Sequence, residues 1–166
     1  MVMEYVEGQD LAKLVRQDGP LPVKKALDYV VQAAKGLEYA HRQEVIHRDI
    51  KPSNLVLDAH GTVKILDLGL AKLQQDVGID VRSASASLTQ TGQVVGTIDY
   101  LSPEQSLDSR RVDGRSDIYS LGCTLFFLLM GRPIFGGDTV ARKILAHRED
   151  AVPSLCLLRR DVPEQL

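Results

Sequence analysis

His47-Arg48-Asp49-Ile50-Lys51-Pro52-Ser53-Asn54, then the apolar run Leu55-Val56-Leu57, a turn at Asp58-Ala59-His60-Gly61, a second apolar run Val63-Lys64-Ile65-Leu66, and finally Asp67-Leu68-Gly69: this stretch decides how the chain is read. The two runs are rich in β-branched and aliphatic residues, and the turn between them holds a glycine able to take positive φ. An antiparallel hairpin is therefore expected. Such a hairpin brings Asn54, just before its first strand, to the same end as Asp67, just after its second. Both side chains are hard oxygen donors of the kind Mg2+ accepts, and magnesium is usually held by few protein groups together with ligand phosphates. Asp49 and Lys51 lie on the loop feeding that end. One offers a carboxylate to orient or deprotonate a hydroxyl; the other offers an ammonium to meet a phosphoryl oxygen.

The 166 residues, 44% of them hydrophobic, suffice for one domain with its own core. A net charge of -2 and the lack of a long basic run give no reason to expect nucleic acid as a partner. Cys123 and Cys156 lie far apart among apolar residues, so they read as buried free thiols in a reducing compartment. The most apolar run, Leu121 to Met130, is too short to span a bilayer and follows Asp117 and Ser120, so it reads as a buried helix; no targeting or membrane segment is found. There is no His/Cys spacing for zinc, no serine elbow for acyl transfer and no G-x-G-x-x-G.

From the start, Met1 to Gly8 reads as the end of a strand running into a loop, with Asp10 capping a helix that begins at Leu11. Gly19-Pro20-Leu21-Pro22 breaks the chain. Val23, Ala26, Leu27, Val30, Val31, Ala34, Leu37 and His41 then recur at helical spacing and mark a buried face, with His41 at the helix end. From Leu70 to Glu104 the chain turns polar, and residues 77–93 carry Ser, Thr, Gly and Gln without periodicity, as a loop does. Arg115 to Gly122 opens a strongly apolar helix stopped by Gly131-Arg132-Pro133, and Asp138 is read as the cap of a shorter helix through about His147.

His47-Arg48-Asp49, with Lys51 two positions on, Asn54 five positions on and Asp67-Leu68-Gly69 beyond, resembles the catalytic loop and metal-binding triplet of protein kinases. Thr89-Gln90-Thr91 and the run Gly96-Thr97-Ile98-Asp99-Tyr100-Leu101-Ser102-Pro103-Glu104 look especially like the bacterial serine/threonine kinases. Leu68 stands where that family most often has Phe. The resemblance covers nearly all of the chain. It implies an α+β, mainly α, kinase-like fold: an incomplete large lobe with a small β-hairpin at the catalytic cleft. Within it, residues 1–10 correspond to the hinge, 47–54 to the catalytic loop, 67–104 to the activation segment and 116–131 to the central buried helix.

The same resemblance implies ATP and Mg2+ as cofactors and, as partner, a protein with a Ser or Thr acceptor. Met3, Glu4 and Val6 would line the adenine, and Asp10 would reach the ribose hydroxyls. Asp49 would be the general base, Lys51 would contact the transferring phosphoryl group, and Asn54 and Asp67 would hold the metal. His47 would be a packed core histidine, Thr97 would lie beside Asp49 and Lys51, Glu104 would close the activation segment, and Asp117 would bond back to the catalytic-loop backbone. Arg48, joined by Lys72, could pair with a phosphate on the loop, since charge-assisted bonds to a dianion are strong; autophosphorylation at Thr89 or Thr91 is therefore expected. ATP use and the lack of an export signal point to the cytoplasm. Two function classes stand at this stage: a serine/threonine kinase polypeptide, with little activity expected of this chain alone because the glycine loop and its lysine are missing, or a non-catalytic kinase-like module.

Overall fold

The computed structural model describes residues 6–66, 96–108 and 112–166. The hairpin forms as its residues dictate: strand β2 (Leu55–Asp58) pairs antiparallel with β3 (Val63–Ile65), Leu55 opposite Ile65 and Leu57 opposite Val63. Its turn is fixed by the Asp58 carboxylate, which accepts from the backbone N–H groups of His60 and Thr62 at 2.9 Å each. Gly61 takes the positive φ, 80°, that the turn requires.

The sheet has a third strand where a loop was expected. Strand β1 (Gly8–Asp10) pairs antiparallel with the free edge of β2, Gly8 opposite Asp58 and Asp10 opposite Val56, giving the order β1-β2-β3. The glycine that suggests a loop is what permits the pairing. A Cβ on Gly8 would sit 2.4 Å from the Leu57 carbonyl oxygen and 2.7 Å from Val56 Cγ1, so only hydrogen fits between the strands.

Asp10 then caps helix α1 (Leu11–Asp18), its carboxylate accepting from Lys13 N at 2.8 Å. Helix α2 (Val23–Arg42) follows the proline break and buries Ala26, Tyr29, Ala33 and Leu37, residues three and four apart. The face is rotated from the one expected: Val31 is 49% exposed. At about 100° per residue it lies roughly 140° around the helix from Ala26, outside any single buried stripe. Gln32, on the side turned to the sheet, accepts from Val63 N at 2.8 Å and so occupies the outer edge of β3.

Helix α3 (Pro103–Leu107) carries a capping box with Ser102. Helix α4 (Gly114–Met130), capped by Asp113 and ended by Gly131, buries residues on most of its circumference, among them Asp117, Leu121, Thr124, Phe126, Leu128 and Leu129. Helix α5 (Val140–Glu149) starts one residue later than expected: Thr139, not Asp138, is the cap, accepting from Arg142 N at 3.2 Å. Asp and Thr both cap well, so residue type alone does not choose between neighbours. A short helix α6 (Leu155–Leu158) leads to Arg159, which donates to the carbonyls of Leu21 and Leu129 and ties the tail to the end of α4.

The main core gathers Leu11, Val15, Leu37, Leu55, Leu121 and Leu128 from the sheet, α1, α2 and α4. A second cluster of Tyr100, Cys123, Phe126, Phe135 and Ala146 joins α4 and α5 to the segment before α3. Both cysteines are free; Cys123 is buried as expected, whereas Cys156 is only partly covered, because α6 lies on the surface with Leu157 beside it largely open to solvent. Among the described residues no helix is long and apolar enough to cross a membrane. The architecture is α+β and mainly α, with the small sheet holding the loop at residues 47–54 against α2 and α4.

Candidate active site

Three side chains converge at the hairpin's open end. A single 3-10 turn, Pro52–Asn54, with proline at its first position, turns Asn54 back over the loop. Asn54 Nδ2 donates to the Asp49 carbonyl at 2.8 Å and to Asp49 Oδ2 at 3.2 Å. With its amide hydrogens committed to Asp49, the other arm of the carboxamide, Oδ1, is the one left to act as an acceptor, which is the donor chemistry Mg2+ takes. Lys51 Nζ stands 2.9 Å from Asp49 Oδ2 and also donates to Thr97 Oγ1 at 2.9 Å. The Asp49 carboxylate, about one-fifth exposed, is thus held by an amide and an ammonium.

Beneath them the backbone is pinned from two sides. His47, fully buried, donates through Nε2 to the Leu66 carbonyl at 2.8 Å and accepts from Asp49 N through Nδ1 at 3.2 Å. Leu66 N in turn donates to the Asn54 carbonyl at 2.8 Å, so the chain leaving β3 is stitched to the turn that carries Asn54. From the other side comes Asp117 of α4, 1% exposed. Its carboxylate accepts from His47 N at 2.9 Å, Arg48 N at 2.8 Å and His41 Nε2 at 2.7 Å. Arg48 is left-handed, with φ 65°. That conformation costs a residue with a side chain about 1–2 kcal/mol, so its neighbours must hold it there.

A model of the protein kinase domain matches residues 1–163. The chain belongs to the protein kinase family. It is 44% identical over 154 residues to serine/threonine-protein kinase PknB of Mycobacterium leprae, covering 92% of this chain and 23% of that protein. The Mycobacterium tuberculosis PknB gives 42% over the same length, and the protein named PknA of Corynebacterium glutamicum 44% over 155 residues, 93% of this chain and 31% of that one. The kinase chain described here therefore spans about a quarter of the length of the mycobacterial relatives it matches.

Of the residues singled out in this kinase sequence, His47, Arg48, Asp49, Lys51, Asn54, Thr97 and Asp117 are brought into one bonded cluster. Glu104 lies apart from it, accepting from Ser116 Oγ and fastening α3 to α4. Val6 is half-buried just ahead of β1, and Asp10 uses its carboxylate on the α1 cap. Met3, Glu4, Asp67, Leu68, Lys72, Thr89 and Thr91 lie outside the described residues. A cavity of about 410 Å³ lies elsewhere, between α4 and the tail, lined by Cys123, Phe126, Pro153 and Leu155; none of the expected site residues borders it. Burial pushes the Cys123 thiol up to about 12, so it is no nucleophile at neutral pH.

Sequence reasoning missed three contributors. His41 is not a bare helix end but a donor to Asp117. Gln105 reaches the Arg48 carbonyl. Lys143 of α5 pairs with Asp99, two residues from Thr97, in a site where both side chains are nearly covered. Next to that pair His147, 5% exposed, meets the Tyr119 hydroxyl through Nδ1 at 2.9 Å and makes a T-shaped contact with the Phe135 ring.

Burial holds His147 below the ordinary histidine value, opposed by the nearby Asp99 carboxylate. The unfolded chain therefore takes up the proton first, and acid favours unfolding. Stability should be level above the ordinary value of about 6.5 and decline as pH falls below it, until the lower folded value is passed. Thermal unfolding between about pH 7.5 and pH 5 should show a smaller acid decline in His147→Gln than in the parent chain. Because His41, His47 and His60 remain in both proteins, equal declines would remove His147 as the cause.

Proposed function

We propose that this chain carries the catalytic loop of a serine/threonine protein kinase, which transfers the γ-phosphoryl group of ATP to Ser or Thr hydroxyls of a protein substrate. One observation carries the reading: the Asp49 carboxylate is held by Asn54 Nδ2 and Lys51 Nζ, and the same ammonium reaches Thr97. ATP with Mg2+ supplies the phosphoryl group. Asp49 orients the incoming hydroxyl and accepts its proton. Lys51 neutralises charge gathering on the phosphoryl oxygens, and its bond to Thr97 ties the substrate-facing segment to the base. Asn54, through Oδ1, and Asp67 are the proposed metal ligands; Met3, Glu4, Val6 and Asp10 are proposed for the nucleotide. Arg48 and Lys72 would receive a phosphate placed on Thr89 or Thr91. Use of ATP favours a cytoplasmic location for this part of the protein.

The test is phosphotransfer from labelled ATP to a Ser/Thr-containing protein by the complete gene product, with Asp49→Asn as the comparison. Removing a positioned general base should lower the rate by about 100-fold, and the same samples, mapped by mass spectrometry, should carry phosphate at Thr89 or Thr91 only in the unsubstituted protein. Undiminished transfer by Asp49→Asn would sink the assignment of the base.

A further inference from the structure

Arg48 is held in its left-handed conformation through both of its backbone polar groups. Its N–H donates to Asp117 Oδ1 at 2.8 Å, and its carbonyl accepts from Gln105 Nε2 at 2.8 Å. The second contact comes from a different element from the first. Gln105 sits in the first turn of α3, where Oε1 accepts from Ser102 N at 3.0 Å and closes the capping box. One carboxamide therefore does two things: its oxygen caps a helix that follows Thr97, and its nitrogen grips the peptide that joins Arg48 to Asp49. That peptide's own N–H belongs to Asp49 and is taken by His47 Nδ1.

We infer that Gln105 is a positioning residue for Asp49: by holding the Arg48 carbonyl it keeps a left-handed φ at a non-glycine residue, and with it the direction in which the next carboxylate points. A residue with a Cβ relaxes out of that region unless its surroundings fix it. Asp117 fixes the peptide before Arg48; Gln105 fixes the one after. The contact also makes the loop's geometry depend on whether α3 is seated, so the segment containing Thr97 and the base are ordered together. The clamp itself stands on geometry alone; only its consequence for phosphotransfer rests on the function proposed above.

The substitution that isolates the nitrogen is Gln105→Glu, which keeps the capping oxygen and turns an acceptor toward the Arg48 carbonyl; Gln105→Met, of similar length without a polar end, is its uncharged counterpart. Hydrogen exchange of the chain is the readout. Either substitution should speed exchange of the Arg48 and Asp49 amides by about tenfold or more, the scale of one lost hydrogen bond. Arg48→Gly removes the strain but keeps the carbonyl, so in that background the same substitutions should accelerate exchange clearly less than in the parent chain. Equal acceleration in both backgrounds, or none in the first, overturns the clamp. In the complete gene product Gln105→Met should lower kcat by about tenfold while leaving KM for ATP unchanged. Accelerated exchange with an unchanged kcat would keep the clamp but reject the positioning of Asp49, whereas loss of the Asp49 role would show independently in Asp49→Asn.

Discussion

Asp117→Ala is expected to destabilise the chain by about 4 kcal/mol, enough to unfold a marginal domain at physiological temperature. The Asp117 carboxylate accepts three donors while 1% exposed: His47 N, Arg48 N and His41 Nε2. Truncation leaves two backbone N–H groups without their acceptor, at about 1–3 kcal/mol each. It also frees Arg48 to leave its left-handed φ. Asp117→Asn supplies the contrast. It retains one acceptor oxygen but turns an NH2 group toward at least one donor, so its cost should fall clearly below that of alanine yet well above zero. Urea unfolding of the three proteins decides the matter. A loss below about 1 kcal/mol for Asp117→Ala would mean that the loop is held by something other than this carboxylate.

The same site shows which parts of the fold were legible beforehand. The hairpin was readable because strand period, turn chemistry and a glycine at positive φ all agree within a dozen residues. Asp49, Lys51 and Asn54 were readable as a spacing pattern and Asp117 only through the resemblance to protein kinases, although neither shows that Asn54 spends both amide hydrogens on Asp49. The third strand was not, since Gly8 looks like a loop residue until the Leu57 carbonyl oxygen is known to lie 2.4 Å from where a Cβ would be. The end of α2 was readable from where its periodicity stops, at His41, although no glycine or proline follows Arg42 and it is Glu44 that takes φ 60° beyond the helix. Gln105 could have been found, because Ser102 and Gln105 have the S-x-x-Q spacing of a capping box. That pattern predicts the oxygen's task and not the nitrogen's. Contacts made between distant segments, such as Gln105 with Arg48 or Lys143 with Asp99, leave no trace in local periodicity.

Lys143→Met should cost about 3 kcal/mol, although lysine to methionine is a change that most exposed helix positions would absorb. Lys143 and Asp99 are nearly covered, their side chains 12% and 11% exposed. Removing the ammonium leaves a carboxylate that has lost both its partner and its water, and that residual charge accounts for most of the cost. Removing both charges is therefore the decisive comparison. Asp99→Leu with Lys143→Met should return to within about 1 kcal/mol of the parent chain, because an apolar pair of similar volume replaces a buried ion pair at little net cost. If the double variant is instead as unstable as the single one, the pair matters through its shape and packing rather than its charge. Added salt should alter the parent little, since covered charges are poorly screened. The consequence reaches the loop. Asp99 stands two residues from Thr97, whose hydroxyl receives Lys51, so releasing Asp99 from α5 loosens the segment that meets Lys51 and, through it, the proposed base Asp49. In the complete gene product the single substitution should therefore raise KM for the protein substrate more than KM for ATP, and the charge-free double variant should reverse that shift along with the stability.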